Sequence, residues 1–298
     1  MARIGVDVGG TNTDFVLECD KGTFFHKVPS TTDDQSIAVV DGINQICDIA
    51  QIDKKDIEVI SHGTTVATNI TIEHNGAEVG FLTTKGFRDI LHIGRHKRPH
   101  NFSLHFDVPW QSKPLVKRRN RIAVTERIKP PSGEVEIALD EQEVRDGCAL
   151  FRKRGIKSVA VGFMFSFLND AHEKRAVEIV KEVMPDAFVC ASSEVVNVIR
   201  EYERFSTVAM NAFVGPQSSM YLRNLEAKVK DAGIPAKLRV IQSNGGISTI
   251  DGCAKKPVGI LMSGPAGGVI GALSEARLAG TENIMTVDIG GTSADIST

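Results

Sequence analysis

The chain has 298 residues, a formal net charge of −2, 42% hydrophobic and 24% charged residues. This is the composition of a soluble globular protein of one large or two ordinary domains, and the near-neutral charge gives no support for nucleic acid or an anionic membrane as partner. The five cysteines are odd in number and form no CxxC pair, which argues against a disulfide framework or a structural zinc and fits a reducing, cytoplasmic setting.

"RIGVDV" at 3–8 reads as a buried strand, and "DFVLECD", a "KG" turn and "TFFHKV" as a hairpin of two more. The polar cluster "STTDD" introduces a helix over 36–50. "EVIS" and "EVGFLTT" are short core strands flanking a loop and helix, "HGTTVATNITIEHNG". Residues 86–135 are irregular, basic and proline-containing, and "KPLVKRRNR" within them reads as solvated or edge-strand charge. A helix over 140–155 has Asp140 as N-cap and Gly155 beyond its end. "KSVAVGFMFSF" is a central strand. The next helix starts with an Asp170–Glu173 capping box and stops at Pro185. After strand "AFVCAS", residues 197–233 read as two helices broken at Gly215–Pro216. Strands "LRVIQS" and "VGILM", a Gly-rich turn into a helix at 263–280, and strand "NIMTVDI" complete the chain. No leader segment and no apolar run able to span a bilayer are expected. Alternating strands and helices give an α/β class, with a domain boundary near residue 195.

"VDVGGTNTD" at 6–14 returns as "VDIGGTSAD" at 287–295. The separation is too long for a solenoid repeat and suits a duplicated domain. In each copy a strand delivers an Asp to its end, and two glycines let backbone N–H groups face an anion. Gly9, Gly10, Thr11, Asn12 and Thr13, with Gly290, Gly291, Thr292 and Ser293, are candidate phosphate binders. Asp7 and Asp288 are candidates to hold Mg²⁺ through its waters. Asp14 and Asp295 read as structural. The P-loop and dinucleotide fingerprints are absent, and both would lead into a helix where a strand follows here.

The paired motif resembles the actin, hexokinase and Hsp70 superfamily of ATPases. This implies two ribonuclease-H-like halves, each with a phosphate hairpin, and ATP between them. "SHGTTVATN" (61–69), "GRHKRP" (94–99), "SFLNDAHE" (166–173), "REYERFSTVAMNAFVGP" (200–216), "SNGG" (243–246) and "SGPAGGVIGA" (263–272) narrow the resemblance. Together they are similar to the hydantoinase/oxoprolinase family, A-type subunit, over essentially the whole chain. The resemblance implies a segmentation into 1–194, the N-terminal hydantoinase/oxoprolinase domain, and 195–298, the start of the hydantoinase A domain.

That family implies ATP and Mg²⁺, phosphorylation of a cyclic amide carbonyl of hydantoin, N-methylhydantoin or 5-oxoproline type, and a B-type partner subunit in an oligomer. The alternatives are the ATP-using subunit of an acetone or acetophenone carboxylase, a sugar-kinase-like phosphotransferase, and a non-catalytic actin-like module. His62 is a candidate catalytic residue, and Thr64, Thr65, Asn69, Arg95, Arg98, Glu201 and Asn244 are candidates for the substrate side. The competing readings are a capped helix start for the threonines, a solvated basic loop for Arg95 and Arg98, and a Glu201–Arg204 pair. His92, His96 and His100 tempt a metal reading, but Gly94 and Pro99 interrupt the helix it would need. Relatives carry several hundred further residues after the second hairpin, so the second half reads as truncated. Residues 1–298 alone are expected to bind ATP weakly.

Overall fold

A computed structural model describes residues 1–31, 34–95, 102, 108–289 and 294–298. The chain divides into two compact units, 1–75 with 217–298, and 76–216. The second is an insertion in the first, a grouping that a change of sequence tone near residue 195 does not address.

The first unit opens with strands β1 (Ala2–Val8), β2 (Asn12–Cys19) and β3 (Gly22–Pro29), joined by tight turns and paired antiparallel. The helix Gln35–Ala50 follows, N-capped by the Asp34 carboxylate, which accepts from Ser36 N at 3.0 Å. β4 (Ile57–Thr64) then pairs parallel to β1 and runs into the helix Val66–Glu73.

The inserted unit contains β5 (Val79–Thr84), β6 (Arg121–Val124), β7 (Arg127–Lys129), β8 (Glu134–Ile137), β9 (Ser158–Gly162) and β10 (Phe188–Ala191). The helix Glu201–Asp231 leads back to the first unit, which adds β11 (Lys237–Ile241), β12 (Ile247–Ser248), β13 (Thr286–Ile289) and β14 (Ala294–Ser297). The helix Ser263–Leu278 lies between β12 and β13.

The first unit's main sheet has the order β12-β11-β4-β1-β2-β3, with β4 parallel to both β1 and β11. This is the mixed α/β arrangement expected of a ribonuclease-H-like half. Alternation sends Ala2, Ile4, Val6 and Val8 into the core and Arg3, Gly5 and Asp7 to the other face. β13 and β14 form a separate two-stranded sheet.

The second unit's sheet, β10-β9-β5-β6, is entirely parallel. β5 and β9 are buried along their whole length, as strands covered on both faces must be. Leu82 belongs to a core with Phe151 and Val180, from the helices Glu141–Lys153 and Ala171–Val183. Phe81 points the other way, edge-on to Phe205 of the long helix at 5.4 Å between centroids.

Several expectations are corrected here. Residues 201–231 form one helix with Pro216 inside it. Proline cannot donate to the carbonyl four residues back, and the freed Ala212 oxygen accepts from the buried Ser158 hydroxyl at 2.6 Å. The neighbouring Phe213 oxygen accepts from Ala77 N at 2.9 Å. The Asp170–Glu173 capping box does not form, because the Asp170 side chain caps nothing and Glu173 is drawn inward. Its buried carboxylate accepts from Phe163 N, Ser192 Oγ, Ser193 N and Ser193 Oγ at 2.6–2.8 Å. The basic run is solvated and edge-strand charge, as expected: Lys117, Arg118 and Arg119 stay exposed while pairing with Glu78 and Asp89, and Arg121, at the start of edge strand β6, is buried on the Val116 carbonyl.

Candidate functional site

The β1–β2 turn is a tight loop in which Gly9 N donates to Asn12 O at 3.0 Å. A Cβ on Gly9 would come within 3.0 Å of that same oxygen. Ser30, just past β3, fastens the loop from behind. Its hydroxyl donates to Gly9 O at 2.9 Å, its N–H donates to Thr11 O at 2.9 Å, and Thr13 Oγ1 lies 2.9 Å from its Oγ. Thr13 is fully buried, so its hydroxyl anchors the loop. Gly9, Gly10, Thr11 and Asn12 line a cavity of about 510 Å³.

The same cavity is edged by Asp7, Asp14, Lys27, Thr65, Thr68, Asn69, Gly264, Pro265, Asp288 and Asp295, all from the first unit. Register places Asp7 beside Gly63 of β4 and opposite Asp14 of β2. A Cβ on Gly63 would sit 3.0 Å from Asp7 Oδ1, and one on Gly264 3.3 Å from it. The carboxylate therefore occupies room left by two missing side chains. Partial desolvation, then the charges of Asp14 and Asp288, hold the Asp7 carboxyl above its ordinary value of 3.8. Asp14 itself meets Lys27 Nζ at 2.9 Å.

The second copy of the motif repeats this register, with Asp288 opposite Asp295. Gly290, Gly291, Thr292 and Ser293, and likewise Arg98, lie outside the described residues. His96 and His100 do too, so the histidine spacing is not addressed. Among the described residues no three His, Cys, Asp or Glu side chains gather as a protein-only metal site. Asp7 and Asp288 instead both line the cavity, and carboxylate oxygens are the donor type that suits a hydrated Mg²⁺.

The "SHGTTVATN" residues divide between two faces. Thr65 and Asn69 reach the cavity: Thr65 Oγ1 donates to Val8 O at 3.2 Å, and Asn69 Nδ2 donates to Thr65 Oγ1 at 3.4 Å. Thr64 is buried at the end of β4, and its hydroxyl accepts from Val66 N at 3.2 Å in the turn before the helix, whose N-cap position is Thr65 with no side-chain cap. His62 is also turned inward. It pairs with Val6, on the face of β1 opposite Asp7. Its Nε2 lies 2.9 Å from the Tyr221 hydroxyl, and burial pushes its pKa down to about 4. The expected place of His62 at the substrate is therefore corrected: strand alternation puts it in the core.

The remaining candidates are not in this cavity's wall. Arg95 belongs to the second unit and pairs there with Glu203 through its Nε at 2.6 Å. Glu201, in the same unit, lies 3.8 Å from Arg204, the pairing weighed against a substrate role. Asn244 accepts from Gly246 N at 2.9 Å and shapes its own turn.

Sequence reasoning missed Lys27, Thr68, Gly63 and Gly264. Thr68 and its neighbours fix the start of the helix Ser263–Leu278. Met262 N donates to Thr68 Oγ1 at 2.9 Å, and Ser263 Oγ donates to Thr64 O at 2.9 Å. A mostly apolar cavity of about 550 Å³ adjoins, sharing Pro265, Asp288 and Asp295 and reaching Met262, Val269 and Ile296.

Comparison with known proteins adds to this geometry. The caprolactamase subunit alpha of Pseudomonas jessenii is 36% identical over 99% of this chain and 43% of that subunit. The crystal structure of the ATP-dependent caprolactamase from that organism superposes with a TM-score of 0.84 at 35% identity, again over 99% and 43% of the two chains. The acetophenone carboxylase gamma subunit of Aromatoleum aromaticum is 32% identical over 99% of this chain and 42% of its own length. The chain thus spans less than half the length of these relatives. The profile of the hydantoinase/oxoprolinase N-terminal region matches residues 3–184, and the hydantoinase/oxoprolinase profile matches 204–298. With both copies of the VDxGGT motif inside the matched spans, the chain belongs to the hydantoinase/oxoprolinase family.

Proposed function

We propose that the protein uses ATP to phosphorylate the carbonyl oxygen of a cyclic amide, so that the ring can be opened by water. One observation carries the reading: the cavity built by the Gly9–Asn12 loop and Asp7 lies in a chain similar along its length to an ATP-dependent caprolactamase. An amide carbonyl is a poor electrophile. If its oxygen attacks the γ-phosphorus of ATP, the bond to ADP breaks and the ring carbon carries a phosphate leaving group. Water adds at that carbon, the ring nitrogen takes up a proton and departs as the C–N bond breaks, and a second water hydrolyses the resulting acyl phosphate to release phosphate and the ring-opened acid.

In this reading the loop amides of Gly9 and Gly10 and the side chains of Thr11 and Asn12 bind phosphates, as do Gly290–Ser293 in the second copy. Thr65 and Asn69 stand on the substrate side. Asp7 and Asp288 hold a hydrated Mg²⁺, which supplies positive charge for the phosphoryl oxygens. The segmentation at 194/195, a cytoplasmic location, a B-type partner and an oligomer belong to the same proposal. The subunit names of the caprolactamase and acetophenone carboxylase relatives support the partner. The second reading, the ATP-using subunit of a ketone carboxylase, is favoured by the similarity to the acetophenone carboxylase subunit.

Phosphate release by the native-length protein with its partner separates the two. Caprolactam, hydantoin, N-methylhydantoin and 5-oxoproline are compared with acetone and acetophenone in bicarbonate. Stimulation by a lactam alone supports the first reading. Stimulation confined to a ketone with bicarbonate replaces it by the second.

A further inference from the structure

Four carboxylates edge the hairpin cavity, from Asp7, Asp14, Asp288 and Asp295, and among the described residues one cation does, Lys27. Lys27 stands on β3 directly across from Asp14 on β2, with Nζ 2.9 Å from Asp14 Oδ1. The two side chains keep 59% and 49% of their exposure, so the pair adds little to stability. Its effect is positional: Asp14 holds the ammonium at the cavity wall. An ammonium has three N–H donors, and Asp14 occupies one. The loop amides beside it are uncharged donors, so a polyphosphate entering here meets Lys27 as its protein cation.

We propose that Lys27 is a phosphate-contacting residue, donating to an oxygen of the terminal phosphoryl group of the bound nucleotide, and that Asp14 is the residue that positions it. This rests on the nucleotide reading above. The competing view is that Lys27 merely neutralises Asp14.

The test measures Mg·ATP and Mg·ADP binding by calorimetry in the native-length protein and in Lys27→Met, Lys27→Arg and the double variant Lys27→Met/Asp14→Asn. Losing a contact to a charged group weakens Mg·ATP binding by about tenfold or more in Lys27→Met. Mg·ADP is weakened less, and Lys27→Arg retains most of the affinity. The double variant stays as weak as Lys27→Met, with unchanged thermal unfolding in all. Wild-type affinity in Lys27→Met overturns the inference, and so does recovery in the double variant, the outcome if neutralising Asp14 were the whole role. Absence of Mg·ATP binding in the unmodified protein would remove the nucleotide reading and this inference together, a result distinct from a failure of Lys27 alone.

Discussion

Asp7 and His62 sit one register step apart on neighbouring strands and face opposite sides of the sheet. Their titrations have different consequences. The Asp7 carboxyl is raised above 3.8 by partial desolvation and by Asp14 and Asp288. Its contribution to stability is present below that ordinary value and is lost as pH rises through the folded pKa. At pH 7 the ionised group therefore costs stability. Asp7→Asn is expected to abolish nucleotide-dependent phosphate release while leaving the thermal midpoint at pH 7 equal or slightly higher. A fall of many degrees would show that Asp7 is structural.

For His62 the sign is reversed. Burial lowers its pKa from 6.5 to about 4, so the unfolded chain binds the extra proton between those values. Stability is full above pH 6.5 and is lost as pH falls toward 4. His62→Gln keeps a partner for Tyr221 and should flatten the unfolding midpoint across that window, as thermal melts in a pH series would reveal.

At the scale of elements, Ser158 and Pro216 are the clearest case of distant residues completing one helix. Ser158→Ala leaves the Ala212 carbonyl without its partner, a loss of about 1–3 kcal/mol. Pro216→Ala restores an N–H to that carbonyl, so the serine change should cost less in its background. A double-mutant cycle in urea measures the difference, and additive effects would count against this account. The same comparison shows how far sequence reading reaches. Most of the strands, the β1–β2 turn and the Asp140 cap follow from local pattern, whereas "VGILM", expected as a strand, falls in the 3-10 helix Pro257–Ile260 and the turn after it. The continuity of the long helix does not, because the hydroxyl that tolerates Pro216 comes from another strand. Lys27 was missed for a related reason. A turn centred on "KG" would place Asp14 opposite Pro29. The turn instead falls on Asp20–Lys21, since Cys19 pairs with Gly22, and that register brings Lys27 to Asp14. Small offsets at a turn reassign every cross-strand neighbour.

Across the whole molecule, the two copies of the motif share a register but not an environment. β1 is central in a six-stranded sheet, whereas among the described residues β13 and β14 pair only with each other and leave Val287, Ile289 and Ile296 56%, 77% and 69% exposed. Two-stranded ribbons are marginal in water. In residues 1–298 studied alone, the amides of 286–289 and 294–297 should exchange with deuterium far faster than those of β1 and β4. Comparable protection would contradict the contrast. The strand at β1 was legible in the sequence, although it reads there as buried and the structure exposes its alternate residues; the discontinuous grouping of residues 1–75 with 217–298 was not legible, since it depends on contacts between segments far apart in sequence.

Gly63 and Gly264 give the location of the site a signature in tolerance to substitution. They come from a strand and from a helix start, and a Cβ added at either would meet Asp7 Oδ1 as its nearest atom among the described residues. Neither has a left-handed backbone that would demand glycine. In a saturation scan, positions of this kind should reject even alanine for activity while accepting it for folding. Gly63→Ala and Gly264→Ala are expected to lose most phosphate release with thermal midpoints close to the parent, and a parental rate in both would place the reacting centre away from Asp7. Two absent methyl groups would then mark the carboxylate on which turnover depends, in variants that leave every polar side chain of the site unchanged.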